Sequence, residues 1–294
     1  MAAPATTPLN FSATDKAQVL VESLPYIKKF RGKTIVVKYG GSAMDDERAR
    51  RRFCADIVLL KYVGIHPVVV HGGGPQIGQM LKRLGVESRF VGGLRVTDDA
   101  TMRVVEMVLG GEVNQDLVRL IGQAGGRAVG LTGKDGGLVT ARRLGTSPGE
   151  SDLGRVGEVE TVDPKILEKL CADDFIPVIA PIGVDADGES LNINADPFAA
   201  KIAAAMRAEK LVLLTDVQGV KAADGTMFSS LKRSQVEALI ASQVITGGMI
   251  PKVRFGLDAL ADGVPKVHIL SGALDHAVLL EIFTDQGIGT ELTA

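Results

Sequence analysis

The apolar positions along the chain change period repeatedly, and the changes mark out elements. Ala17, Leu20, Val21, Leu24, Ile27 and Phe30 recur at helical spacing. Ser12 or Thr14 can cap that helix, Pro25 predicts a kink within it, and Gly32 ends it. Thr34 to Lys38 then reads as a buried strand, 45–63 as a helix, and Pro67 to His71 as a second buried strand leading to a helix that ends near Leu84. A helical pattern over 98–121 carries Gly110 and Gly111 inside it. Ala128 to Leu131 and Ile176 to Ala180 read as strands, with hairpin character over 137–162. The rhythm resumes with a helix over 197–207, a strand from Lys210 to Thr215, helices over 234–241 and 249–262, a strand from Val267 to Leu270 and a helix over 274–283.

Alternating βα units predict an α/β fold, a three-layer sandwich around a mainly parallel, doubly wound sheet, with the first helix as an appendage. Four segments are expected. Residues 1–14, rich in Ala, Pro and Thr, form a disordered terminus, and 15–31 the added helix. Residues 32–185 form one lobe and 186–294 a second, divided at the turn Asp185-Ala186-Asp187-Gly188.

Composition narrows this further. Of 294 residues 46% are hydrophobic but only 4% aromatic, and Trp is absent. The core is therefore built from Val, Leu, Ile and Ala, which suits parallel strands covered on both faces. The formal net charge is −2, and the cluster Arg48, Arg50, Arg51, Arg52 sits in an amphipathic segment as a solvated helix face. No nucleic-acid partner is expected. Cys54 and Cys171 have no metal-ligand spacing and read as buried reduced thiols, which fits a cytoplasmic protein. The four His residues form no zinc motif, so no protein-metal ligand set is expected. The first residues lack the basic and apolar regions of a secretory signal, and no apolar run spans a membrane.

Ligands of open α/β sheets bind at the carboxyl ends of the strands, and the informative sequences sit there. Lys38-Tyr39-Gly40-Gly41-Ser42 leaves the first strand, and His71-Gly72-Gly73-Gly74-Pro75 the second. Glycines let backbone N–H groups approach phosphate oxygens, and a following helix N-terminus adds a favourable dipole. Tight turns alone would explain each loop equally well, and neither is a P-loop or a dinucleotide fingerprint. Arg95, after Gly92-Gly93, could clamp a carboxylate or pair with Asp98 or Asp99 on the surface. Asn192, Asn194 and Asp196 alternate with apolar residues, which would put them on one face. Asp196 before Pro197 is equally a good helix N-cap. Thr215-Asp216-Val217-Gln218-Gly219 is an acidic Gly turn suited to ribose, base or metal, and Lys252 starts a helix after Gly247-Gly248.

Taken together, VVKYGG (36–41), VVHGGGPQI (69–77), GLRVTD (93–98), EMVLGGEVNQDLV (106–118), VGLTGKDGGL (129–138), NINAD (192–196), EKLVLLTDVQGV (209–220), GGMIPKV (247–253) and LLEIFTDQGIGT (279–290) resemble the amino acid kinase family. The resemblance runs from about residue 15 to residue 292. NINAD and GLRVTD place it in the branch that acts on N-acetyl-L-glutamate. It implies transfer of the γ-phosphoryl group of ATP, with Mg²⁺, to the γ-carboxylate of N-acetyl-L-glutamate, the second step of arginine synthesis by the acetylated route.

By the same resemblance Lys38 and Lys252 flank the transferring group and Asp196 holds them. Gly40, Gly41 and Gly73 bind phosphoryl oxygens. Gly72, Gly73, Arg95 and Asn192 hold the acetylglutamate, with Asn194 in support. Thr215, Asp216, Gly219 and Lys221 line the nucleotide pocket, with Val244 and Thr246 nearby. Pro197-Phe198 departs from the family pattern, which expects small or β-branched residues there, and puts the local packing in question. The N-terminal helix resembles that of hexameric, arginine-inhibited members, in which such helices join dimers into a trimer of dimers. This implies an L-arginine site between that helix and the C-terminal lobe, with His268, Glu281 and Gly287 as contacts, and adds a PII-type regulator to the candidate partners. Two other readings compete: a different acyl-phosphate-forming kinase of the family, and a regulatory amino-acid-binding module without catalysis.

Overall fold

The computed structural model describes residues 11–145, 151–285 and 287–294. Residues 1–10 lie outside the described part, so the expected disordered terminus is described only from residue 11. Ala13 and Thr14 belong to the first helix, α1 (Ala13–Phe30), a correction to its expected start at 15. Ser12, not Thr14, is the cap: its Oγ accepts from Asp15 N–H at 3.1 Å, and Asp15 Oδ2 accepts from Ser12 N–H at 2.9 Å. This reciprocal capping box satisfies two orphan donors and sets the start. The helix runs through Pro25 as one element.

The chain continues through β1 (Thr34–Tyr39), α2 (Glu47–Tyr62), β2 (His66–His71), α3 (Gly74–Arg83) and a short hairpin, β3 (Phe90–Val91) and β4 (Leu94–Arg95). The predicted helix over 98–121 is α4 (Asp99–Val105), a π-helical stretch Glu106–Val113 around Gly110 and Gly111, and α5 (Asn114–Gln123). Then come β5 (Ala128–Thr132), β6 (Val139–Arg143), β7 (Val156–Val162), α6 (Lys165–Ala172), β8 (Ile176–Ala180), β9 (Ile182–Val184), β10 (Ser190–Ile193) and α7 (Ala195–Ala205). The last third holds β11 (Lys210–Thr215), β12 (Ser230–Lys232), α8 (Arg233–Ala241), α9 (Met249–Ala261), β13 (Val267–Ser271), α10 (Ala277–Phe283) and β14 (Thr290–Thr293).

Eight strands form one sheet in the order β12-β14-β13-β11-β1-β2-β8-β5. All neighbours are parallel except β13 and β14. Four further strands, β10-β7-β6-β9, close into a small barrel. The Asp185–Gly188 turn joins β9 to β10, which pair antiparallel inside that barrel. The expected lobe division at residue 185 therefore falls within a hairpin, and β1 and β11, from either side of it, are hydrogen-bonded neighbours.

The period of two in β1 sorts its side chains between two cores. Ile35, Val37 and Tyr39 join the core covered by α2, α3, α4, α5 and α10. Val36 joins the opposite core, with Phe198, Ala199 and Ile202 of α7 and Val253 and Leu257 of α9. Lys38, two residues after Val36, faces the same way, toward the start of α7. Phe198, a departure from the resembled pattern, is fully buried in that core. At roughly 25 cal/mol per Å² its burial contributes about 2–3 kcal/mol. Both cysteines are free and buried, as expected. Burial pushes the thiols up, Cys54 to about 12 and Cys171 to about 11, so both stay protonated and inert. No helix among the described residues is long and apolar enough to cross a membrane.

Candidate active site

The carboxyl ends of β1 and β2 meet the start of α7 at a cleft of about 250 Å³. Its floor is glycine, and each close approach has a specific reason. A Cβ on Gly40 would lie 2.7 Å from Lys38 Nζ, so a side chain there would collide with the ammonium. Gly41 has φ +82°, and a Cβ would stand 2.4 Å from Asp216 Oδ1. A Cβ on Gly73 would meet Leu109 Cδ2 at 2.4 Å, because the π-helical stretch packs directly on this loop. The Gly-rich loops are thus shaped by close packing as well as by turn geometry.

Asp196 is the centre of the charge arrangement. The expected N-cap role falls to Asn194, whose side chain accepts from Asp196 N–H at 3.0 Å. Asp196 sits inside the first turn of α7, not on the strand face with Asn192, because β10 ends at Ile193. Relieved of capping, its carboxylate faces two lysines. Lys38 Nζ lies 2.9 Å from Oδ1 and Lys252 Nζ 3.2 Å from Oδ2. The Lys252 contact is an aligned hydrogen bond. Lys38 is close but poorly aligned, and no described donor points at Oδ1. This contact is chiefly charge–charge, which leaves the ammonium able to turn toward another anion. Burial alone would raise the Asp196 pKa, but the charges of Lys38 and Lys252 beside it, with the Lys252 hydrogen bond, outweigh it and hold it below the usual carboxylate value.

The far wall carries Arg95 and Asn192. Arg95 is fixed by Ser88 Oγ, by Gly74 O at 2.8 Å and by the Phe90 ring, 4.7 Å away. A guanidinium has five donors, so these contacts orient it without exhausting it. It does not pair with Asp98 or Asp99. Asp98 caps α4 through Thr101 N–H, and Asp99 pairs with Arg155. Asn192 Nδ2 donates to Thr97 Oγ1 at 3.2 Å, and Thr97 is fully buried. Gly72 and Asn194 also line the cleft. The N–H of Gly72 donates to Tyr39 O at 2.8 Å, so Gly72 offers space rather than a donor.

A second cavity, about 370 Å³, is walled by Asp216, Gly219, Lys221, Val244, Thr246 and Met249, among others. Thr215 is buried at the end of β11 and stands outside this wall. The contact between Gly41 and Asp216 makes the two cavities neighbours. A third, about 180 Å³, lies between α1 and the C-terminal third and includes His268, Glu281 and Gly287. There Glu281 Oε1 meets His268 Nδ1 at 2.7 Å and Lys210 Nζ at 2.9 Å. Burial would raise the Glu281 pKa, but these partners outweigh it and hold it down.

The chain belongs to the amino acid kinase family, whose model matches residues 33–271. It is 58% identical over 286 residues to the acetylglutamate kinase of Geotalea uraniireducens (strain Rf4), covering 95% of this chain and 98% of that one. Among solved structures it resembles the N-acetylglutamate synthase of Neisseria gonorrhoeae complexed with coenzyme A and N-acetyl-glutamate. The TM-score is 0.84 and the identity 28%, over 95% of this chain and 63% of the longer synthase. The same synthase complexed with coenzyme A and L-arginine gives a TM-score of 0.80 at 27% identity, over 94% of this chain and 65% of that one.

Three supports carry no signal in the motifs themselves: Thr97 behind Asn192, Ser88 behind Arg95, and the pair His71 and Asn114 beneath the Gly-rich loop. All three involve partners far apart in sequence or on other elements. Only the buried polar character of Asn114 and His71 within apolar patterns hinted at them.

Proposed function

We propose that this enzyme transfers the γ-phosphoryl group of ATP to the γ-carboxylate of N-acetyl-L-glutamate, in arginine synthesis. The observation that carries the reading is the convergence of Lys38 and Lys252 on one buried carboxylate beside a glycine-floored cleft. The acetylglutamate would occupy that cleft, lined by the part of the chain before residue 185 together with residues 192–195. Arg95 would take its α-carboxylate and Asn192 would assist. The nucleotide would occupy the neighbouring cavity of the C-terminal part, between Asp216 and Lys221 and against Val244 and Thr246.

An acceptor carboxylate is already ionised at pH 7, so no general base is required. One carboxylate oxygen attacks phosphorus in line, and the bond from phosphorus to the bridging oxygen breaks. An acyl phosphate and ADP result. The protein's task is to position the reactants and stabilise the charge spread over the phosphoryl oxygens. Lys38 and Lys252 supply that charge from two elements, and the backbone N–H groups of Gly40, Gly41 and Gly73 add donors. Asp196 keeps the two ammonium groups from repelling each other and aims them.

Mg²⁺ bound with the nucleotide would neutralise phosphate charge. It usually keeps water and phosphate ligands rather than a protein cage, and this suits a chain whose described residues hold no cluster of three metal-ligating side chains.

A second reading concerns regulation. The cavity between α1 and the C-terminal third presents Glu281, a carboxylate suited to a guanidinium. Val19, Leu20, Val21 and Leu24 leave an apolar face of α1 exposed. These features support L-arginine as an inhibitor held in that cavity, and α1 as the contact that joins subunits into a hexamer, a trimer of dimers. A cytoplasmic location, expected from the two buried reduced thiols, and a PII-type partner, expected from the family resemblance, agree with this reading.

The test is ADP release with ATP and Mg²⁺, comparing N-acetyl-L-glutamate with glutamate, aspartate, carbamate and UMP, with and without L-arginine. Turnover with N-acetyl-L-glutamate alone, suppressed by arginine, is expected. Turnover with another acceptor would overturn the roles of Arg95 and Asn192. No turnover with any acceptor would favour a binding module.

A further inference from the structure

His71 is fully buried beneath the Gly-rich loop, and it lies on the same face of β2 as Val69, toward α5. Its Nδ1 stands 2.8 Å from Gly72 O and its Nε2 3.1 Å from Asn114 Nδ2. The Asn114 amide is oriented by its other contacts. Nδ2 also faces Val178 O at 2.9 Å and Leu131 O at 3.4 Å. Both are acceptors, so the amide nitrogen, not its oxygen, must point that way. Gly72 O can only accept, so the proton of the neutral ring sits on Nδ1 and is donated to it, which leaves Nε2 as the acceptor facing Nδ2. Burial pushes the His71 pKa down to about 4, partly offset by its bond to Gly72, so the ring stays neutral at physiological pH.

The consequence lies in the peptide itself. In a trans peptide the C=O and N–H point in opposite directions. With Gly72 O held down by the buried ring, the N–H of Gly73 points away from it, toward the cleft that Gly73 lines. Among the described residues nothing accepts from that N–H. We propose that His71 and Asn114 form a positioning relay that locks the Gly72–Gly73 peptide with its N–H aimed into the cleft. Resting on the phosphoryl-transfer reading above, that N–H serves the transferring group.

The surroundings are built for the relay. Asn114 is the first residue after the π-helical stretch, and such stretches often mark functional positions. A Cβ on Gly130 of β5 would fall 1.9 Å from Asn114 Oδ1, so only glycine leaves room for the amide. Leu109, from the same stretch, presses on Gly73. One irregular helix thus holds the loop by packing at one end and by hydrogen bonding at the other.

The experiment pairs kinetics with ring-nitrogen NMR on the full chain. In the wild type the His71 ring is expected to be neutral between pH 5 and 9, with its proton on Nδ1. His71→Leu removes the donor, and His71→Asn retains an N–H where Nδ1 stood. His71→Leu is expected to lower kcat by about 10- to 100-fold, below the full effect of deleting one such donor. KM for both substrates should stay within about threefold. His71→Asn should restore most of kcat. Asn114→Ala, a milder change should His71→Leu fail to fold, is expected to move the ring proton toward Nε2 and to lower kcat with it.

A wild-type proton on Nε2, or a ring that titrates near neutrality, would overturn the relay. So would a folded His71→Leu, or an Asn114→Ala with its proton moved, whose kcat matches wild type. Equal losses in His71→Leu and His71→Asn that track melting temperature would show a merely structural role and overturn it too. The ring measurement does not depend on the acceptor. A wild type inactive on every acceptor would sink the reading of function while the NMR still decides the tautomer.

Discussion

Lys38, Asp196 and Lys252 form one charge cluster, and its two buried members, Lys38 and Asp196, would each be costly without a partner. Asp196 is nearly inaccessible, and an unpaired buried carboxylate would be neutralised or would destabilise the fold by several kcal/mol. The two ammonium groups relieve this, and in the proposed reaction an anionic phosphoryl group would give them a second partner. Lys38→Ala and Lys252→Ala are each expected to lower kcat by about 10²–10³-fold with a much smaller change in KM. Steady-state kinetics and nucleotide titration would check this. Comparable losses in binding alone would contradict the assigned roles. Asp196, whose pKa is depressed, stabilises the fold above the carboxylate's ordinary value, and this contribution is lost as pH falls through its lowered folded pKa.

Elements meet at polar contacts whose titration reports on the packing. Asp56 on α2 is buried and accepts from His276 Nδ1 at 2.6 Å, at the start of α10. Burial pushes its pKa up to about 6, against the lowering effect of His276. The sign is the reverse of that at Asp196. Between the ordinary value near 4 and about 6 the folded state holds more protons than the unfolded one. Stability therefore rises as pH falls through that window. Asp56→Asn removes the cost of an ionised buried group. It is expected to stabilise the chain at pH 8 by on the order of 1–2 kcal/mol and to have little effect near pH 4.5. Melting curves at the two pH values would check this, and equal shifts at both would show that burial of charge is not the cause.

Across the whole molecule, α1 is the element least committed to its own subunit. Apart from Phe30, its apolar residues are exposed or only partly buried, and its contacts within the chain are mainly with α10. An exposed apolar helix face marks an interaction surface. On the proposal that α1 joins dimers into a hexamer, a chain without residues 1–30 is expected to run as a dimer and to lose any arginine response, because Tyr26, Lys29 and Phe30 line the third cavity. Light scattering and inhibition curves would check both. An unchanged hexamer would refute the role of α1.

Much of this was legible in the linear order of residues. Unbroken apolar runs found β8 and β11 at their observed limits, since strands buried on both faces have no polar alternation to blur their ends. The glycines after β1 and β2, with Lys38, Arg95 and Asn192, were singled out by residue type and assigned to a site by the family motifs, and they line one cleft. Short strands such as β9, β12 and β14 left no clear signal, because three or four residues cannot establish a period. Asp196 looked like a helix cap until the fold gave that task to Asn194, two residues earlier. The pairings of Lys38 with Asp196, of Asn192 with Thr97, and of His71 with Asn114 span 43 to 158 residues. The sequence alone determined the periodicities, the family motifs and the reactive residue types, because these depend on neighbours along the chain. Tertiary structure decided which groups face one another and which are buried, because burial and hydrogen-bond partners exist only after distant strands and helices pack.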